Sequence, residues 1–216
     1  MLLQNFYINT AIILLGAYLI GAFPTAFIAG KIRGIDVRKT GSYNVGGMNT
    51  FSSVGKIAGV LVILADFGKG TLVAFLAKRF SNSHPLIPLL AIVAAAIGHN
   101  WMVYIGFKGG KGISTFLGGL LFLSPLSFFF LYFWFVPAAI ILVKDTYLAT
   151  SIALFFFSFF LWYREGSYNW LIFGILISIV YSIKSYSLIK TYFTEERRDV
   201  PPILRKIFKP FLKMFS

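Results

Sequence analysis

GHNWMVYIGFKGGKGISTFLG, residues 98–118, joins the end of one apolar run to the start of another through a loop of lysine and glycine. Lys108, Gly109, Gly110, Lys111 and Gly112 place two cations and three glycines within five residues. Glycine lets a backbone turn tightly and brings its N–H groups close to a ligand. Several N–H groups at the start of a helix, with lysine beside them, suit an anion. The stretch therefore predicts helix, anion-binding loop, helix. It is not a P-loop of the GxxxxGK[ST] type, because that order is absent and no buried strand precedes it.

The apolar runs on either side set the fold class. The chain has 216 residues, is 58% hydrophobic and has a mean hydropathy of +0.81. Several runs reach the roughly 20 residues needed to cross a hydrocarbon core, and most lack a polar stripe at helical period. The expectation is an all-α, polytopic membrane bundle of about seven spans. Upstream, a first span covers about 7–30, starting near the N-terminus as a retained span rather than a cleaved signal, with a kink at Pro24. A polar loop, 31–56, follows. A second span covers 57–76 and carries Asp66 and Lys69. A third, 85–105, carries His99.

Downstream, residues 112–143 are too long for one crossing. Ser124-Pro125 is the natural break, giving a short fourth helix and a fifth span ending near Val143. The sixth and seventh spans cover about 147–163 and 170–183. Residues 1–200 read as one integral membrane domain. Residues 201–216, PPILRKIFKPFLKMFS, read as a basic amphipathic tail on an anionic leaflet.

The net charge of +13 fits positive-inside topology and attraction to anionic lipids, and could also serve an anionic substrate; it does not call for nucleic acid. Lysine and arginine gather in the 31–56 loop, the KGGKG loop, Lys144 and the tail. Only Lys78, Arg79 and Arg164 fall on the other side. The first side is then cytoplasmic, with the N-terminus outside and the C-terminus inside. The chain has no cysteine, which excludes thiol chemistry. His99 has no second histidine or carboxylate cluster at metal-ligand spacing, so neither a metal nor another cofactor is expected.

Three groups of residues remain open to two readings. The run Gly41, Ser42, Asn44, Gly46, Gly47, Asn49 suits an anion site or a tightly folded loop. Asp66 and Lys69 share a helix face and could order the bundle as an ion pair or face a polar cavity. His99 could bond a neighbouring helix, order the KGGKG loop or meet a ligand.

Taken together, GAFPTAFIAGKIRGIDVRKTGSYNVGGMN (21–49), ADFGKG (65–70) and GHNWMVYIGFKGGKGIST (98–115) resemble the bacterial membrane acylphosphate-dependent glycerol-3-phosphate acyltransferases. The resemblance implies seven spans and transfer of a fatty acyl group from acyl phosphate to the 1-hydroxyl of glycerol 3-phosphate. The products would be lysophosphatidic acid and phosphate, the first step of phospholipid synthesis, at the cytoplasmic face of the bacterial inner membrane and without a metal. It implies catalytic parts for Ser42, Lys111 and His99. It implies substrate contacts for Gly41, Asn44, Asn49, Asp66, Lys69, Lys108, Gly109, Gly110, Gly112 and Thr115.

The chain departs from the family pattern at several positions. Tyr43, Val45 and Met48 stand at glycine, proline and threonine positions. Ser52 stands at an arginine position and Asp145 at another. Lys184, Ser185, Tyr186 and Leu188 occupy an arginine–histidine–arginine-x-asparagine motif. These departures fall on the acceptor side. They set an alternative beside the main reading: an acyl-phosphate-using enzyme with another acceptor, or a non-catalytic membrane binding or transport protein of the same fold.

Overall fold

The structure is a computed structural model and describes residues 2–81 and 84–194. The expected tail at 201–216 lies outside the described residues. Every named element is helical, as the apolar runs dictate.

The first apolar run forms two helices, α1 (Leu2–Ala22) and α2 (Thr25–Ile32), separated at Phe23–Pro24. The sequence predicted a kink here, and the structure has a full break. Pro24 cannot donate a backbone hydrogen bond, and its φ of −89° and ψ of 64° lie outside the helix. The 31–56 segment contains a helix that the glycine-rich composition concealed, α3 (Gly47–Ser53). Next come α4 (Lys56–Phe80), α5 (Leu86–Asn100), a single 3-10 turn at Val103–Ile105 and α6 (Ile113–Leu123).

Ser124-Pro125 separates α6 from α7 (Pro125–Phe130), as expected. One π-helical turn, Leu131–Phe135, leads into α8 (Val136–Val143). Its wide turn lies just before Pro137, whose ring and missing N–H disfavour a regular α-turn there. Then α9 (Thr146–Glu165) and α10 (Tyr168–Thr194) form an antiparallel pair. Asp145 caps α9, accepting from the Tyr147 and Leu148 N–H groups at 3.0 and 2.9 Å. Gly166 ends it in the left-handed region, at φ 67°.

Among the described residues, five segments are long and apolar enough to cross a membrane: Phe6–Ile32, Lys56–Phe80, Pro125–Val143, Thr146–Glu165 and Tyr168–Lys190. The other two expected spans correspond to α5 and α6, apolar helices of 15 and 11 residues. These short helices lie at the centre of the bundle. Most of α5 is buried, and Phe116 and Leu120 of α6 pack with Ile92, Phe157 and Phe173 in the main core. Large apolar side chains face outward instead, Ile12, Leu64 and Ile141 being 63%, 62% and 75% exposed. An apolar exterior around a closely packed interior is what a lipid solvent selects.

The packing that most directly positions the loop 98–112 is the crossing of α4 and α6. A methyl group added at Gly70 would run into the Thr115 carbonyl, and one at Gly118 into the Phe67 carbonyl. Thr71 Oγ1 donates to Gly118 O at 3.0 Å across the same contact. The backbones therefore touch, and the start of α6 is fixed against α4.

Candidate functional site

The KGGKG loop does not lead away from α5. It folds back over the end of that helix. Gly106 and Phe107 both adopt left-handed conformations, at φ 72° and 59°. The Phe107 N–H donates to Met102 O at 2.9 Å, and Met102 and Lys108 form an antiparallel bridge. The Gly110 N–H then donates to His99 O at 3.0 Å. The reversal lays Gly110 directly against the His99 ring, where an added Cβ would collide with Nε2.

His99 is buried beside a polar cluster within the bundle. Its Nδ1 stands 3.7 Å from Asp66 Oδ1, beyond hydrogen-bond reach. Asp66 and Lys69 are also buried, with Lys69 Nζ donating to Asp66 Oδ1 at 2.7 Å. Thr25 Oγ1 donates to the same oxygen at 2.6 Å and accepts from Lys69 Nζ at 3.2 Å. Lys69 also donates to the Phe23 carbonyl. At the break that carbonyl accepts from both the Thr25 N–H, at 3.0 Å, and the ammonium. Removing either ion would leave the other charge buried and unpaired, at a cost of roughly 3–5 kcal/mol. Thr25 was missed in the sequence, where it looked like an ordinary residue of the first span.

The first glycine-rich loop is organised by Asn49, which is buried at the start of α3. Its Nδ2 donates to Val37 O, Thr40 O and Asn44 O at 3.0, 3.1 and 2.9 Å. Its Oδ1 accepts from the Ser42 N–H at 3.0 Å and from Ser53 Oγ at 3.2 Å. This side chain shapes the loop. Gly41 and Ser42 are exposed at its rim and Asn44 is half-buried. Gly110 packs against the Val45 carbonyl, so the two glycine-rich loops meet. Ser52, at the family's arginine position, turns back to donate to Met48 O and Asn49 O. It brings no charge to the site. Asp36 and Arg38 pair at the edge of this loop, and the guanidinium holds the Asp36 carboxyl well below the usual carboxylate range.

The cations beside the KGGKG loop are arranged differently from Lys69 and Arg38. Lys111 is half-buried, with Nζ 4.2 Å from the centroid of the Tyr147 ring on α9. Burial pushes its ammonium below the usual lysine range. Lys184 of α10 donates to Asn100 O and lies 5.3 Å from the Trp101 ring centroid. Neither forms an ion pair among the described residues. Lys108, the other loop lysine, is exposed.

Gly112 caps α6 at φ 75° with no side chain bonded to the first N–H groups of that helix. Those N–H groups have no intrahelical acceptor. Beside them, Asn100 is fully buried, and neither its amide oxygen nor its nitrogen has a partner among the described residues. Thr115 Oγ1, in the first turn of α6, is likewise unpaired. The region thus combines a helix N-terminus, two cations without carboxylate partners and unsatisfied polar groups. That set suits a dianion such as a phosphate group. Among the described residues no group of three or more histidine, aspartate or glutamate side chains could hold a metal.

The chain is also similar to known proteins. Residues 11–195 match the family described as Glycerol-3-phosphate acyltransferase. A protein of Dehalococcoides mccartyi, Glycerol-3-phosphate acyltransferase 1, is 36% identical over 178 residues, covering 79% of this chain and 85% of that one. A glycerol-3-phosphate acyltransferase of Chlorobaculum tepidum is 46% identical over 126 residues, and the match spans only 53% of this chain and 54% of that protein. Among solved structures, PlsY (YgiH), an integral membrane glycerol 3-phosphate acyltransferase in its glycerol 3-phosphate form, superimposes with a TM-score of 0.76. It is 29% identical in sequence, and the match covers 92% of this chain and 98% of that one.

Proposed function

Because this chain belongs to the glycerol-3-phosphate acyltransferase family, we propose that it transfers a fatty acyl group from acyl phosphate to the 1-hydroxyl of glycerol 3-phosphate. The observation that carries this reading is the pair Lys111 and Lys184 beside the N-terminus of α6, neither neutralised by a carboxylate. The relatives' names support glycerol 3-phosphate as the acceptor.

In this reading the donor's phosphate lies against the first N–H groups of α6, with Lys111 beside it. The glycerol oxygen attacks the acyl carbonyl carbon, and the bond from that carbon to the phosphate oxygen breaks. The hydroxyl proton leaves with the departing phosphate, so charge and atoms balance without a metal. The two cations and the helix terminus stabilise the charge that builds up on the leaving group, and a preorganised low-dielectric site makes such contacts strong. Lys184 is the second of these cations, in a chain whose Ser52 brings no charge to the site. His99 holds the KGGKG loop over the Asp66–Lys69 cluster, and the rim residues Ser42 and Asn44 face the acceptor. The site end faces the cytoplasm, and the surrounding leaflet is anionic.

Phosphate release by purified protein, dependent on both acyl phosphate and glycerol 3-phosphate, tests the proposal. Lys111→Ala should lower the rate by about a hundredfold, as loss of one charge-stabilising group does elsewhere. No release from wild-type protein at saturating substrates would sink the reading. Glycerol, run in parallel with glycerol 3-phosphate, separates it from one in which another alcohol is the acceptor.

A further inference from the structure

Four cations near the loop end of the bundle differ in their anionic partners. Lys69 is committed to Asp66, and Arg38 to both carboxylate oxygens of Asp36 at 2.9 and 2.8 Å, and these two also lie over the Phe23 and Phe27 rings. Lys111 and Lys184 have no carboxylate partner among the described residues; Lys111 lies over the Tyr147 ring, and Lys184 lies over the Trp101 ring and donates to Asn100 O. These rings come from outside the lysines' own elements: Tyr147 begins α9, and Trp101 follows α5.

The difference has a physical consequence. A carboxylate holding a lysine competes directly with an incoming phosphate and must be displaced, leaving an unpaired anion behind. An aromatic face is also attractive to an ammonium, more so as the pair is desolvated, but it carries no net charge. It contacts one side of the ammonium and leaves N–H groups free on the other. A lysine otherwise ranges over many rotamers, and ordering it on binding is costly. An aromatic seat meets that cost before the ligand arrives and adds no competing anion.

We propose that Tyr147 and Trp101 are positioning residues that hold Lys111 and Lys184 as a two-cation clamp for a phosphate group. The proposal rests on the reading of this loop as a phosphate site and adds the means by which the cations are kept ordered and free of a competing anion. It also explains how the chain works without the arginine replaced by Ser52: the second cation comes from α10 and is oriented by the residue after α5.

Titration calorimetry of the purified full-length protein in detergent, with inorganic phosphate and with glycerol 3-phosphate, tests this without requiring turnover. Tyr147→Leu should weaken binding about five- to tenfold, while Tyr147→Phe, which keeps the ring, stays within about twofold of wild type. Trp101→Leu and Trp101→Phe should split in the same way. In a Lys111→Met background Tyr147→Leu should cause no further loss, because the ring acts through that ammonium.

Unchanged or tighter binding by Tyr147→Leu would overturn the proposal. So would equal loss in the leucine and phenylalanine variants, additive losses in the Lys111→Met background, or a wild-type protein that binds neither anion. Ring-dependent binding without phosphate release would instead keep the clamp and reject the acyl-transfer reading.

Discussion

At the residue scale, the clearest division is between side chains that build the loops and side chains left available to a ligand. Asn49 belongs to the first kind. Both ends of its amide are engaged inside a buried pocket, with three backbone carbonyls on the nitrogen and two donors on the oxygen. Asn49→Asp keeps the shape but turns an oxygen toward those carbonyls, so acceptors face acceptors. Asn49→Asp should therefore destabilise at least as much as Asn49→Ala, each by about 2 kcal/mol or more. Thermal unfolding in detergent measures this. If Asn49→Asp melts with wild type, the hydrogen-bond account of the loop fails.

The sequence made Lys111 and the glycines around it legible because their chemistry is local: cations and φ-permissive residues within five positions. The partners of Lys111 and Lys184 were not legible. Tyr147 and Trp101 lie 36 and 83 positions from the lysines they seat, and only helix packing decides such meetings. Asp145 shows the same limit from the other direction. Against the family pattern it is a lost arginine, whereas in the structure it is the N-cap of α9.

At the scale of elements, breaks were easier to read than contacts. Pro24 and Ser124-Pro125 end helices because proline cannot continue the hydrogen-bond ladder, a property visible in any sequence. The helix α3 was hidden because glycine, asparagine and serine are weak helix formers, and tertiary packing overrides that preference. The fold-back at 101–110 was hidden because Phe107, a residue that seldom takes positive φ, occupies the left-handed position.

The α4–α6 crossing yields a prediction at this scale. Gly68 and Gly70 sit two residues apart on α4. A methyl group at Gly68 meets nothing within 4 Å, while one at Gly70 meets the Thr115 carbonyl, which belongs to the first turn of α6. Gly68→Ala should be neutral or slightly stabilising, since alanine is favoured over glycine in a helix by up to about 1 kcal/mol. Gly70→Ala must push α6 away from α4. It should lower the melting temperature and, by shifting the helix terminus beside Lys111, weaken anion binding as well. Parallel melts and titrations of the two variants check this, and equal behaviour would show that the backbones are not in contact.

At the scale of the whole molecule, the two ends of the bundle are distinguishable without any ligand. At one end Asn9 donates to Phe80 O, Phe6 packs on His84, and Ser124 and Ser127 donate to Glu165. At the other end Gly110 meets Val45, Lys111 meets Tyr147, and Lys184 meets Asn100. Among the described residues the five long apolar segments run between these ends, with the shorter α5 and α6 lying between the second and the third of them. Lys31, Arg33, Arg38, Lys39, Lys56, Lys108, Lys111, Lys144 and Lys184 lie at the second end, against Lys78, Arg79 and Arg164 at the first. Basic residues in short connections are retained on the cytoplasmic side during insertion, so the loop end should face the cytoplasm. The absence of cysteine allows a direct test with single-cysteine variants, which require no background substitutions. Lys39→Cys, exposed in the first glycine-rich loop, should resist a membrane-impermeant maleimide in intact spheroplasts and react after permeabilisation. His84→Cys, exposed between α4 and α5, should react in both. The opposite labelling would invert the bundle. It would also put the two-lysine site on the face away from the cytoplasm, where a cytoplasmic supply of acyl phosphate and glycerol 3-phosphate could not reach it.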